Sequence, residues 1–148
     1  MILKRAVALI MCMPAIACGP PEGARLAISN VVVLEPLPGT SMTAGYLTVE
    51  NNSNQPIAIE KVTSPQFARI EIHETVIQDN VTRMLSLSPL IVERQSNIVF
   101  EPGGKHLMMS DPQQEIVPGL PVSVEFHYDT SGLSIVATTV SSRDVFWD

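Results

Sequence analysis

The sequence predicts an all-β fold in a single domain, a sandwich or barrel of Greek-key type. Three observations carry that prediction. Short runs of alternating apolar and polar residues fill the chain from residue 26 onward, with the period of two that a half-buried strand requires. Clusters of Pro, Gly, Asn and Ser separate the runs at short intervals. No stretch holds a helical period over a useful length. About nine short strands at this spacing form the pattern of an antiparallel Greek-key domain.

Each element follows in order. "LAISNVVVL" (26–34) is closed by the turn pair Pro38-Gly39, and "AGYLTVEN" (44–51) by the polar stretch 51–56. "IAIEKVTS" (57–64) meets Ser64-Pro65, and "FARIEIHETVI" (67–77) meets a turn at 78–80. "TRMLSLS" (82–88) and "NIVFE" (97–101) come next, the latter ending at Pro102-Gly103-Gly104. "HLMMS" (106–110) precedes the turn at Pro118-Gly119. "PVSVEFHYD" (121–129) and "LSIVATTV" (133–140) complete the set around Ser131-Gly132. The domain is therefore placed at residues 26–141. The tail 142–148 carries no metal-binding side chain, and its Phe146 and Trp147 are expected to cover an edge or a sheet end.

The first residues do not belong to that domain. Lys4 and Arg5 precede an apolar run over 6–16, and Ala15 and Ala17 bracket a cleavage position. Residues 1–17 thus read as a secretory signal, too short to span a bilayer. The "AIAC" segment resembles a bacterial lipobox, with Ala15 where Leu is usual, so Cys18 is the expected lipid-bearing residue and 18–25 a tether. An ordinary A-x-A cleavage fits the same residues, which leaves two readings of location. The mature chain is lipid-anchored in the periplasm, or it is soluble there.

Export changes the chemistry. Cys12 leaves with the signal and Cys18 becomes terminal, so the mature domain has no internal cysteine for a disulfide or a thiolate. Loss of Lys4 and Arg5 leaves 7 Lys and Arg against 15 Asp and Glu, a net charge of −8. That balance argues against nucleic acid as a partner and is compatible with handling a cation. The chain has no H-E-x-x-H, no G-x-S-x-G and no cysteine nucleophile, so an enzyme is not expected.

Strand parity sorts the candidate residues. Ile70 and Ile72 share one face, and Arg69, Glu71 and His73 the other, wet one. Leu85 and Leu87 share a face, which sets Met84 with Thr82 and Ser86. His106, Met108 and Ser110 share a face opposite Leu107 and Met109. Val122, Val124, Phe126 and Tyr128 turn inward, and His127 outward as a solvent-exposed histidine. A methionine is ordinarily a core gap-filler, which suits Met109. Met84 and Met108 fall instead on the polar parity, with His73 and His106. Met42 stands in an expected loop and has no assigned role.

Two imidazoles and two thioethers are soft, neutral donors, and sulfur ligands select Cu(I). Zinc would more usually recruit cysteine or carboxylate, and blue-copper electron transfer needs a cysteine that the mature domain lacks. The spacing of His73, Met84, His106 and Met108 is H-x10-M-x21-H-x-M. With "AGYLTVEN", "EIHET" and "EPGGKHLMM", it resembles the PCuAC family of periplasmic copper chaperones across about 26–140. "IVERQSN" (91–97) replaces the family's I-P-A-G-like turn, and "HLMMS" its HLMLM. The resemblance implies a cupredoxin-like β-barrel that holds Cu(I) near the surface through those four residues. It implies delivery towards cytochrome c oxidase assembly, with an oxidase subunit or a Sco-type protein as recipient. Copper buffering or resistance, and an envelope interaction module with an incidental site, remain alternatives.

Overall fold

The computed structural model describes residues 25–129 and 131–140. The signal, the lipobox cysteine, most of the tether and the C-terminal tail with Phe146 and Trp147 lie outside the described residues. Ten strands occur within them and no helix. They are β1 (Leu26–Leu34), β2 (Met42–Asn51), β3 (Ile57–Ser64), β4 (Phe67–Gln78) and β5 (Val81–Ser86). There follow β6 (Leu90–Val92), β7 (Ser96–Phe100), β8 (Lys105–Pro112), β9 (Pro121–Tyr128) and β10 (Ser131–Val140). Nine of these match the expected runs within a few residues. β6 escapes the sequence reading because its three residues are too short to display alternation.

The strands order as β5-β4-β8-β2-β1-β10-β9-β3-β6, and β7 pairs with β2. The β3–β4 hairpin also pairs, so seven strands close on themselves around one core. β1 and β10 are parallel; every other pair is antiparallel. Neighbours distant in sequence, such as β8 between β4 and β2, give the Greek-key character. Leu26, Leu47, Val49, Ile57, Ile59, Leu107, Met109, Val124 and Phe126 form much of the core. Leu26 and Val33 both reach it although they stand an odd number of positions apart. A register shift between Ser29 and Val32, with Asn30 at φ 52°, resets the alternation.

Two faces differ from expectation. β5 is exposed along its whole length, so its parity does not divide core from solvent: Leu85 is exposed like its neighbours, and of the two leucines only Leu87, beyond the strand, packs against the core. His127 is not purely solvent-exposed, since its Nε2 lies 2.8 Å from Thr63 Oγ1 across the β3–β9 pairing.

Candidate metal centre

The centre is built on β5, β4, β8 and the start of β2. The β4–β8 ladder runs without a shift from Glu74 opposite Lys105 to Arg69 opposite Ser110. His73 therefore faces His106 directly, and Glu71 faces Met108. On the flanks, Thr75 faces Met84 of β5, and Ala44 of β2 faces Met108. Directly opposed residues share a face. His73, Met84, His106 and Met108 are thus on one face, and Met109 is on the other with no exposure at all.

That face is not wet throughout. His106 is buried to 7% exposure although it falls on the polar parity. The reason is the end of β1 and the segment that follows it, which wall the site with Leu34, Glu35, Leu37 and Thr40. Thr43 Oγ1 donates to the Leu34 carbonyl at 2.7 Å, and Thr40 Oγ1 to the Leu37 carbonyl at 2.8 Å, which pin the wall in place. Between wall and sheet lies a cleft of about 510 Å³ bordered by Met84, His106, Met108 and Met42. His73 does not border the cleft; it packs edge-on against His106, with ring centroids 6.0 Å apart and planes at 82°.

The turn before β8 prepares His106. Pro102 and Gly103 occupy the centre of a turn closed by the Gly104 N–H donating to the Glu101 carbonyl at 3.0 Å. Gly103 has φ 79°, which a glycine adopts without strain, as a type II turn requires. The Gly104 carbonyl so positioned accepts from the Thr75 N–H at 3.1 Å and lies 3.1 Å from His106 Nδ1. A carbonyl can only accept, so the proton belongs on Nδ1 and the Nε2 lone pair is left for a ligand. This is the arrangement by which proteins orient metal-binding imidazoles.

His73 is the complementary case. Its Nδ1 is buried and has no hydrogen-bond partner in the protein, while Nε2 lies 3.9 Å from Glu71 Oε2. An unpaired buried nitrogen is costly unless something satisfies it. Two imidazoles that share one ion through bonds of about 2.0 Å hold their centroids on the order of 6 Å apart. The donor set therefore fits a soft cation. Among the described residues no three His, Cys, Asp or Glu side chains gather as a metal site, and the soft donors on this face besides the two imidazoles are the methionine sulfurs. Tyr46 also borders the cleft, and burial pushes its phenol above the usual range, which keeps it neutral and a poor anionic ligand.

The sequence reading passed over Met42 because it placed the start of β2 at Ala44. The strand begins two residues earlier, and Met42 shares the face of Ala44, half-exposed at the cleft. Alternation back from Tyr46 is the signal that could have found it. The wall residues left no such signal, since only the folded loop brings them over His106.

A closed all-β barrel with this crossing pattern is the cupredoxin-like fold of PCuAC domains, as comparison with solved structures shows. A copper-bound PCuAC domain from PmoF2 superposes with a TM-score of 0.67 at 18% identity, covering 79% of this chain and 93% of that one. The Cu(I) form of DR1885 from Deinococcus radiodurans gives 0.63 at 21% identity, covering 86% and 84%. The chain belongs to the LpqE-like family, whose model, described as "Putative lipoprotein LpqE-like", matches residues 26–140. RP573 of Rickettsia prowazekii is 28% identical over 107 residues, 72% of this chain and 59% of its own length. Lxx21020 of Leifsonia xyli subsp. xyli is 26% identical over 103 residues, 69% of this chain and 62% of its own. The chain thus spans about three fifths of the curated relatives that it matches.

Proposed function

We propose that this protein is a periplasmic copper carrier, tethered to a membrane by lipid on Cys18. It binds one Cu(I) tightly through His73, Met84, His106 and Met108 and hands it on towards cytochrome c oxidase assembly. The observation that carries the reading is the histidine pair: one imidazole has its tautomer fixed and the other has a buried unpaired nitrogen, on a face with two thioethers. The copper-bound PmoF2 domain and the Cu(I) form of DR1885 support it through their shared fold. Thioethers carry no proton to displace and do not oxidise to disulfides, which suits a site outside the cytoplasm.

Exposure favours a carrier over a store. Met84 is 57% exposed and sits on edge strand β5, where a recipient's ligands can reach the metal before the donor releases it. Competition of the mature chain against a Cu(I) chelator, with Zn(II) as rival, tests the binding. One tightly held Cu(I), preferred to Zn(II) and independent of Cys18, is expected; equal or tighter zinc binding overturns it. Transfer from the loaded chain to an apo oxidase-subunit fragment or a Sco-type protein separates delivery from buffering. Mass spectrometry of the mature N-terminus tests the anchor, which an unmodified Cys18 would refute.

A further inference from the structure

Met42 is the sulfur that the four-residue site leaves over. It is 50% exposed although it opens a strand whose other outer residues are better covered. In the β2–β8 ladder Met42 faces Ser110, and Ala44 faces Met108. Met42 and Met108 are therefore diagonal neighbours on one face. Such pairs stand about 7–8 Å apart, a gap that two side chains of methionine length close on one ion. Both border the same cleft, on the flank opposite Met84.

The cleft is also larger than one ion with bound ligands requires. Its 510 Å³ are bordered in part by the apolar side chains of Leu34, Leu37, Met42, Ala44, Met84 and Met108, and Glu35 is the one carboxylate among the lining residues. An apolar, sulfur-rimmed opening with a single negative charge attracts a soft monovalent cation and gives a hard, strongly hydrated ion few oxygen ligands. His106 borders the cleft on β8 two residues from Met108, and His73 stands opposite it on β4, outside the cleft lining.

We propose that Met42 and Met108 form a second, weaker station for Cu(I) at the mouth of the cleft. The inference rests on the copper reading above. Met108 belongs to both stations: a thioether sulfur has two lone pairs and can bridge two soft ions, so cargo passes from the histidine pair to the rim by exchanging ligands around one fixed sulfur. Two thioethers without an imidazole bind more weakly than the full set, as a point of departure must.

The test uses the mature chain with isotope-labelled methionine methyl groups, titrated with Ag(I), a soft monovalent ion without redox chemistry. The first equivalent is expected to shift Met84 and Met108. The second should bind at least ~10-fold more weakly and shift Met42, with a further change at Met108. Met42→Leu should remove the second equivalent and leave the first affinity within about 2-fold. Met42→Leu still taking up two equivalents, or a Met42 methyl unmoved at two, overturns the station. If Met42 and Met108 respond while Met84 does not, the four-residue site falls and the rim station stands.

Discussion

Asn51 and His73 are two polar side chains set into the same barrel, and their surroundings could hardly differ more. Asn51 closes β2 with 1% exposure, and every hydrogen-bonding position of its amide is used. Its Nδ2 donates to the carbonyls of Gln55 at 2.8 Å and Val92 at 3.0 Å. Its Oδ1 accepts from the N–H of Ser53 at 2.9 Å and the hydroxyl at 2.7 Å. His73 has a buried nitrogen with no protein partner. The first side chain knits β2, β6 and the 51–56 turn together; the second contributes no hydrogen bond to the fold through Nδ1. Full satisfaction suits a polar residue that stabilises the fold, and a withheld bond leaves a nitrogen free for the ligand role proposed above.

The two also divide the molecule lengthwise. Asn51 pairs with Leu26, where the chain enters the barrel, while Met42 and the cleft lie at the other end of β2, about 30 Å away.

The comparison breaks most sharply at the adjacent methionines of β8. Met109→Ala empties a fully buried site beside Leu107 and Gly45 and should cost roughly 2–5 kcal/mol in denaturant unfolding. Copper affinity of the folded molecules should stay unchanged. Met108→Leu should do the reverse, with stability held within about 1.5 kcal/mol and Cu(I) affinity lost in chelator competition. The unbroken β4–β8 register leaves no bulge to exchange their roles.

Asn51→Ala comes next. It strands the carbonyl of Val92 in the interior and frees the turn at Ser53, at about 2–3 kcal/mol, with copper binding untouched. A smaller effect is expected at the turn before His106. Gly103→Ala forces a left-handed alanine and should cost about 1–2 kcal/mol. Because the Gly104 carbonyl then shifts relative to His106 Nδ1, copper affinity should fall as well, which separates this variant from Asn51→Ala.

Most of the barrel and the spread of the four donors were legible in the sequence, since both depend on alternation. Ile70, Ile72, Leu107 and Met109 alternate with Glu71, His73, His106 and Met108, and one ladder register carries all eight. What alternation could not reveal is what covers the outer face. The burial of His106 comes from Leu34 to Thr40, residues with no periodic pattern, held by two threonine hydroxyls. Edge position was equally hidden: Leu85 and Leu87 look like one core stripe, yet β5 has a neighbour on one side only, and Leu85 stays exposed while Leu87, beyond the strand, packs against the core. The orphaned Nδ1 of His73 depends on rotamer and on the surrounding backbone, neither of which a spacing encodes.

His73→Leu should have the smallest effect on the fold and sharpens the comparison furthest. A leucine keeps the packing against His106 and removes a buried nitrogen that makes no bond within the protein. Replacing an unsatisfied buried group by an apolar one is close to neutral or stabilising, so unfolding free energy should stay within about 0.5 kcal/mol of the parent or rise. The 3.9 Å approach of Nε2 to Glu71 is longer than a hydrogen bond and involves a partly exposed carboxylate, so its loss should barely register. Cu(I) affinity, by contrast, should drop at least ~10-fold, since losing even a group that merely orients a ligand costs that much. Unfolding and chelator competition on the same preparation decide the point. A variant that loses several kcal/mol of stability would make His73 a structural residue like Asn51, and one that keeps full affinity would remove it from the site.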